Sequence, residues 1–187
     1  MKLPIVKYGH PVLRAKGQPI DEIDESIRTL AADMLETMHG ANGVGLAAQQ
    51  VGAALQLTVL DVSQVEDRPS RMTLNGVEVD PASAMPLILI NPKLELDEET
   101  VPGNEGCLSF PDITADIDRA VSVRVEALTL EGETVVIEAA GLLARALQHE
   151  VDHLNGILFI DRMSSVAKAS LSSRLKRLQK ETQRSEL

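Results

Sequence analysis

Residues 142–154 read LLARALQHEVDHL, and they decide how the whole chain is interpreted. Apolar side chains fall on nearly every side of a helix with this sequence, which is typical of a helix buried at the centre of a fold. Asn155-Gly156 follows directly and favours a helix end. We therefore expect a central, buried helix over Leu142–Leu154.

Two histidines in this helix, His149 and His153, stand four residues apart, and Glu150 directly follows the first. Positions i and i+4 share one helix face, so both imidazoles can converge on one metal ion. The carboxylate can then reach a water at that ion, which is the arrangement of metal-assisted hydrolysis. Taken alone, the pattern also fits two hydrogen-bonded core histidines.

The third protein ligand of such a site is not fixed by the helix. Catalytic metal sites usually have three protein ligands and one open position. His10 and His39 stand in no ligand-like pattern, and a carboxylate could complete the site instead. The only cysteine, Cys107, follows Gly103 and Gly106 and offers a soft thiolate that suits iron or zinc. The ordinary alternative for a free cysteine is a small buried apolar side chain.

The composition is that of a globular chain with an acidic surface. Of its 187 residues, 44% are apolar and 2% aromatic, and the formal net charge is −10. The length suits one domain, predicted over residues 1–187, and the negative charge argues against a DNA partner. Residues 1–10 lack a signal-peptide core and no run approaches a membrane span. With one cysteine and hence no internal disulfide, we expect a cytoplasmic protein without a membrane partner.

Hydrophobic periodicity predicts an α+β fold, with antiparallel strands packed around the central helix and with an N-terminal and a C-terminal helix. Asp24 is the expected N-cap of the first helix, which ends near His39. The alternating pattern after residue 120 predicts a hairpin. A long, mobile loop is expected between the first and second predicted strands. The predicted strands cover residues 55–62, 86–90, 121–130, 134–139 and 157–160, and the loop covers 63–85.

Residues 162–187 differ in charge from the rest of the chain. They hold seven basic and two acidic residues, whereas the remainder holds 11 basic and 26 acidic ones. Leu171, Leu175 and Leu178 recur at helical spacing, so a basic helical tail with one apolar stripe is predicted. Such tails are most often solvated amphipathic helices.

Three segments together resemble the motifs of peptide deformylases of the bacterial type. They are GVGLAAQQ at residues 43–50, EGCLS at 105–109 and QHEVDHL at 148–154. They follow the order of the family and extend over most of the chain. Each segment alone is weak or moderate, but their combination is highly specific.

The resemblance implies a reaction and a cofactor. The reaction is hydrolytic removal of the N-formyl group from the formyl-methionine of nascent polypeptides, which would be the substrates and partners. Cys107, His149 and His153 would hold the metal, implied to be Fe2+, with Zn2+, Ni2+ or Co2+ as other occupants. On the resemblance, the basic tail could also dock on ribosomal RNA.

The remaining site residues are implied in the same way. Glu150 would be the general base and later the general acid. The Gln50 side chain and the Leu108 backbone N–H would stabilise the oxyanion. The substrate backbone would add as a strand beside the first motif. The expected substrate-binding residues are Val44, Gly45, Leu142 and Ala146.

Several alternatives stay open at this point. Glu105 and Arg119 either pair beside the second motif or are ordinary surface charges. The rival functions are a metalloprotease with a later ligand such as Asp161, a Cys–His hydrolase with Cys107 as nucleophile, and a non-catalytic metal- or ribosome-binding module.

Overall fold

The computed structural model describes residues 1–186. None of the helices in this range combines the length and the apolarity needed to span a bilayer. The helices of the described chain are α1 (Glu25–Gly40), α2 (Pro81–Ala84), α3 (Leu142–Leu154) and α4 (Ser165–Ser185). Short 3-10 helices cover Pro11–Arg14, Ala48–Val51 and Phe159–Arg162. The strands are β1 (Gly45–Ala47), β2 (Leu57–Leu60), β3 (Ser70–Leu74), β4 (Val77–Val79), β5 (Leu87–Leu96), β6 (Thr100–Cys107), β7 (Phe110–Ala120), β8 (Ser122–Leu128) and β9 (Thr134–Gly141).

The strands form two antiparallel sheets. The larger sheet has the order β1-β2-β5-β8-β9-β3-β4, and β6 and β7 form a separate two-stranded sheet. All of their pairings are antiparallel. The predicted α+β class with antiparallel strands is therefore confirmed. The predicted hairpin after residue 120 is also present, because β8 and β9 pair from Ser122↔Ala140 to Leu128↔Thr134.

Helix α3 lies inside the molecule, within the predicted bounds. All of its 13 residues except Asp152 are buried. It packs against β1, β2 and β9, and Leu143 and Leu147 join the main apolar cluster beneath the large sheet. A buried leucine side chain contributes about 1.5–3 kcal/mol relative to an exposed one. The histidines of α3 are thus carried by an element that apolar burial holds in place.

Helix α1 confirms the expected start at its N-terminal cap. The Asp24 side chain accepts a hydrogen bond from the Ile27 N–H at 3.1 Å. Ala31 and Met34 are fully buried on its inner face, where they pack against β2 in a second apolar cluster. The helix covers one edge of the large sheet.

The prediction of a long, mobile loop over residues 63–85 was wrong. β3 and β4 form a hairpin there, with Asn75 and Gly76 both at positive φ in the turn. β3 then pairs with β9, so that Met72 lies opposite Ala139 and is buried. The Asn-Gly pair is a strong turn signal. The strands beside it are short, and Met72 is their only buried residue, so their apolar pattern was too weak to predict them.

Two further local predictions differ from the structure. Residues 157–160 were expected as a strand, but Phe159–Arg162 forms a 3-10 helix, because the Asp161 carboxylate accepts from the Leu158 N–H at 3.0 Å and closes the turn. The β6–β7 hairpin was missed. Its first strand contains proline, asparagine and two glycines, which weaken a strand pattern.

The chain's three aromatic side chains lie together beside α4. Tyr8 stacks on Phe110 at 4.8 Å, and Phe159 meets Phe110 edge to face at 5.0 Å. Leu175 of α4 is buried in the same cluster. The C-terminal residues therefore form a helix whose apolar stripe packs on the body of the protein, while the division into a catalytic domain and a tail stays a prediction.

Candidate metal centre and active-site cleft

The three predicted ligands meet in the structure. The donor atoms of Cys107, His149 and His153 all lie within 4.8 Å of one another, and Cys107 Sγ is 3.4 Å from His153 Nε2. Helix α3 places both imidazoles on one face, and the end of β6 brings in the thiol beside a shift in strand register. Cys107 lies 46 residues before His153 in the sequence, so spacing alone could not relate the thiol to the histidines.

The donor set suits a borderline transition metal. His149 Nδ1 lies 3.0 Å from Glu105 Oε1, which leaves the Nε2 atom of that ring for an ion. Burial, with the neighbouring His149, keeps the pKa of His153 well below its usual value, so that ring is neutral, as a ligand must be. One thiol and two imidazoles are donors for zinc or ferrous iron. These residues could therefore hold a metal ion.

A buried charge network fixes the orientation of His149. Glu105 accepts from Arg119 Nε at 2.8 Å and from Arg119 Nη2 at 2.9 Å, and Arg145 Nη2 lies 3.1 Å away. Although burial works in the other direction, the hydrogen bonds from Arg119 and His149 lower the pKa of Glu105 to about 2. The pairing of Glu105 with Arg119 is thus present, and both side chains are buried, not surface charges.

The role of Arg145 was missed in the sequence. Its guanidinium donates to the backbone oxygens of Val101 at 2.9 Å and Gly103 at 3.0 Å, and also to that of Ile117. Because these bonds run from Arg145 of α3 to the β6–β7 hairpin, they hold the helix and the hairpin together. The partners of Arg145 lie 28 to 44 residues away in the sequence, so no local pattern could have revealed them.

Glu150 sits next to the ligand triad and is nearly inaccessible. Its side chain is buried, and its Oε1 atom has no hydrogen-bond partner among residues 1–186. Burial raises its pKa to about 7. A Cβ atom at Gly45 would lie 2.5 Å from Glu150 Oε2, so the glycine provides the space that this carboxyl occupies. A carboxyl in this state can both accept and release a proton near neutral pH.

Gln50 is buried beside the Cys107 thiol. Its Oε1 accepts from the Ala47 N–H at 3.0 Å, and its Nε2 donates to Ser109 Oγ at 3.1 Å. The same Nε2 lies 3.6 Å from Cys107 Sγ. The amide is therefore held with its donor end beside Cys107, the residue that directly precedes Leu108 in the chain.

The predicted substrate residues line one cleft together with Cys107 and His149 of this triad. The cleft has a volume of about 530 Å³. Its wall includes Val44, Gly45, Leu142, Ala146, Gln50, Leu108 and Glu150. Lys7 and Arg68 also line it, and no pattern in the sequence pointed to either residue. The rival third ligand Asp161 is not part of the triad and instead pairs with Arg14 at 2.6 Å.

A Cys–His–His group beside a buried carboxyl, at the floor of an open cleft, is typical of metal-dependent hydrolases. The polypeptide deformylase family model matches residues 2–169, and the chain belongs to this family.

Known relatives extend this match over almost the whole chain. The peptide deformylase of Methylacidiphilum infernorum is 45% identical over 180 residues, covering 96% of this chain and 94% of that protein. The peptide deformylase of Acinetobacter baumannii is 42% identical over 183 residues, covering 97% and 94%. A plant peptide deformylase crystal structure superposes with a TM-score of 0.85 at 37% identity, covering 99% of this chain and 94% of that one.

Membership of the family settles the type of protein. The chain is a hydrolase, and the reaction of its family is removal of the N-formyl group from nascent peptides. The rival interpretations as a protease or as a non-catalytic module are therefore set aside. Which metal is bound, and which residues move protons, are questions of mechanism.

Proposed function

We propose that this chain hydrolyses the formamide bond of N-terminal formyl-methionine at a metal centre held by Cys107, His149 and His153, with Glu150 as the proton carrier. The observation that carries this proposal is the position of the Glu150 carboxyl. It is buried beside three converging metal donors, and one of its oxygens lacks a partner among residues 1–186.

The proposed metal is Fe2+, and Zn2+, Ni2+ and Co2+ suit the same donors. When bound, the ion would polarise the formyl oxygen and make a water at its open position easier to deprotonate. The Glu105 carboxylate supports this site from behind, because it holds the His149 ring by its Nδ1 atom. We place the reaction in the cytoplasm, where nascent polypeptides begin.

Glu150 then moves one proton twice. Its unpartnered Oε1 accepts a proton from the attacking water and later delivers it to the leaving amine, which needs it to depart. The space left by Gly45 lets the carboxylate keep this position while a peptide lies over it.

The oxyanion that develops on the formyl oxygen needs hydrogen-bond donors. We assign them to Gln50 Nε2 and the Leu108 backbone N–H. The Gln50 amide is already held in place by its bonds to Ala47 and Ser109, so it loses little freedom in the reaction. One such donor is typically worth about 3 kcal/mol in the transition state.

The peptide is proposed to add to the free edge of β1. That strand ends the order of the large sheet and pairs only with β2 among the described strands. An extended peptide can use its main-chain groups there. Its methionine side chain would enter the apolar wall formed by Val44, Leu142 and Ala146.

The test is formate release from formyl-Met-Ala-Ser by anaerobically purified protein, with and without a strong chelator. We expect chelator-sensitive release from the wild type and a loss of at least about 100-fold in kcat for Glu150→Gln. Glu131→Gln, an exposed residue in the β8–β9 turn, is the matched control and should keep full activity. Release that persists unchanged in Glu150→Gln would refute its role.

The basic tail is proposed to dock on the ribosome, where the substrate emerges. Lys176, Arg177 and Lys180 are exposed on α4 and available to phosphate groups. The triple change of these residues to Glu should weaken cosedimentation with ribosomes. Equal cosedimentation of the variant and the wild type at low salt would count against docking through this face.

A further inference from the structure

The segment before β3 is tied to the start of α3. The Pro69 backbone oxygen accepts from the Leu142 N–H at 3.2 Å, and Ser70 Oγ accepts from the Leu143 N–H at 2.9 Å. A Cβ atom at Gly141 would lie 2.2 Å from the Pro69 oxygen, so the two segments are in direct contact. The backbone beside Arg68 is therefore held at the edge of the cleft, next to Leu142. We call the apolar surface of Val44, Leu142 and Ala146 the methionine wall, because it is proposed to hold the methionine side chain.

Arg68 itself has donors to spare. Its side chain is exposed and lines the cleft, and its Nη1 makes one hydrogen bond, to the Asn104 backbone oxygen at 3.3 Å. No carboxylate forms an ion pair with it within residues 1–186. A guanidinium carries five N–H donors, so most of those of Arg68 have no hydrogen-bond partner among residues 1–186. Arg145, in contrast, uses its donors on Glu105 and on backbone oxygens.

The surroundings make this corner of the cleft positive. Lys7 also lines the cleft, on the N-terminal segment, and forms no ion pair with any described residue. Among the acidic groups that line it, Glu105 is neutralised by its arginines, and Glu150 is buried at the floor. Asp112 is the remaining acid, exposed on the β7 wall. A chain with a net charge of −10 thus presents unpaired cations beside its substrate.

We infer that Arg68 is a specificity-determining residue, which pairs with an Asp or Glu side chain at the second or third position of the substrate. This inference rests on the proposed function, because it takes the cleft as the peptide site. The contact of Pro69 with Leu142 puts Arg68 beside the methionine wall, and the residues after the methionine are the first to pass it. Nascent chains with an early acidic residue are therefore preferred over those with an early lysine.

The experiment compares kcat/KM for C-terminally amidated formyl-Met-Asp-Ser, formyl-Met-Ala-Asp and their lysine counterparts, on the metal-loaded enzyme. In the wild type, the Asp-to-Lys ratio should be about 2- to 5-fold, the size expected of an exposed ion pair. It should fall toward 1 in Arg68→Ala, invert in Arg68→Glu, remain in Arg68→Lys, and shrink at 1 M salt.

Arg71→Ala is the matched control. Arg71 lies three residues further along the same segment and is also exposed. It forms an ion pair with Glu78 at 3.6 Å and does not line the cleft. It should keep the wild-type ratio. An equal ratio in wild type and Arg68→Ala, or the same decrease in Arg71→Ala, would overturn the inference.

A parallel titration separates this inference from the proposed function. The deformylated amides Met-Asp-Ser and Met-Lys-Ser report the charge preference through their Kd values, without any turnover. If no peptide releases formate, the proposed function fails, and the ratio of these Kd values in the wild type and in Arg68→Ala still supports or overturns the role of Arg68.

Discussion

Helices α3 and α4 carry charged residues under opposite conditions. In α3 every residue except Asp152 is buried, whereas among the 21 residues of α4 only Leu175 and Thr182 are. Arg145 of α3 is consequently held by its hydrogen-bond partners, and burial raises the pKa of Glu150 to about 7. The basic side chains of α4 stay in water, where salt screens them. Burial, more than charge, decides where chemistry can occur in this molecule.

The largest effect should follow a change that disturbs the group beside α3. Gly45→Ala would place a Cβ atom 2.5 Å from Glu150 Oε2, so the carboxyl must move. A displacement near 1 Å at a reacting group can cost about 100-fold, and we expect that loss in kcat/KM for formyl-Met-Ala-Ser. Gly40→Ala is the control, because the nearest atoms there belong to the flexible Lys2 side chain. Full activity of Gly45→Ala would mean that Glu150 has more room than the structure indicates.

The next largest effect, on the free energy of unfolding, should follow a change of Glu105, the buried carboxylate that contacts His149 of α3. The pKa of Glu105 falls from the usual 4.5 to about 2, so its ionised form stabilises the fold by about 3 kcal/mol at pH 7. Because the folded pKa is the lower one, this stabilisation is complete above pH 4.5 and is lost as the pH falls through 2. Glu105→Gln should therefore lose about 3 kcal/mol in urea unfolding at pH 7 and less at pH 3.

The control for Glu105 is an acid with the same chemistry and no burial. Glu95 lies 4.0 Å from Arg124 with 76% of its side chain exposed. Glu95→Gln should change the free energy of unfolding by less than about 0.5 kcal/mol at either pH. A pH-independent loss in Glu105→Gln would assign the effect to packing instead of charge.

A smaller effect is expected where α4 meets the body of the protein. Leu175→Ala removes a buried side chain from the aromatic cluster and should cost about 2–3 kcal/mol. Leu171→Ala, at a partly exposed site of the same stripe, should cost less. Unfolding in urea measures both. Equal and negligible changes would show that α4 is not docked in solution.

The smallest effect should come from the outer face of α4. Changing Lys176, Arg177 and Lys180 to Glu should alter the free energy of unfolding by less than about 0.5 kcal/mol, because all three are exposed and form no ion pairs among residues 1–186. The kcat/KM of this triple variant on a free peptide should equal that of the wild type. A decrease would connect this face to the cleft and weaken the contrast between the helices.

Prediction from sequence succeeded where one local pattern decides the structure. The bounds of α3 follow from its apolar residues and from Asn155-Gly156. The Cys107, His149 and His153 group, which could hold a metal ion, was expected from the motifs and the family resemblance. The β3–β4 hairpin was missed because pairing with β9, not its own weak pattern, stabilises it. Arg145 and Arg68 were missed for the same reason: their partners, such as Gly103 and Asn104, lie far away in sequence.

Strand β1, with its free edge, has a consequence for the generality of the enzyme. It spans only Gly45–Ala47, so the peptide that we propose to lie beside it would form few main-chain hydrogen bonds. Main-chain contacts ignore side-chain identity, so any preference among polypeptides is left to side-chain contacts such as the one inferred for Arg68. A short edge also holds its product weakly, which favours rapid release, and it offers little surface for a second copy of the chain to aggregate on.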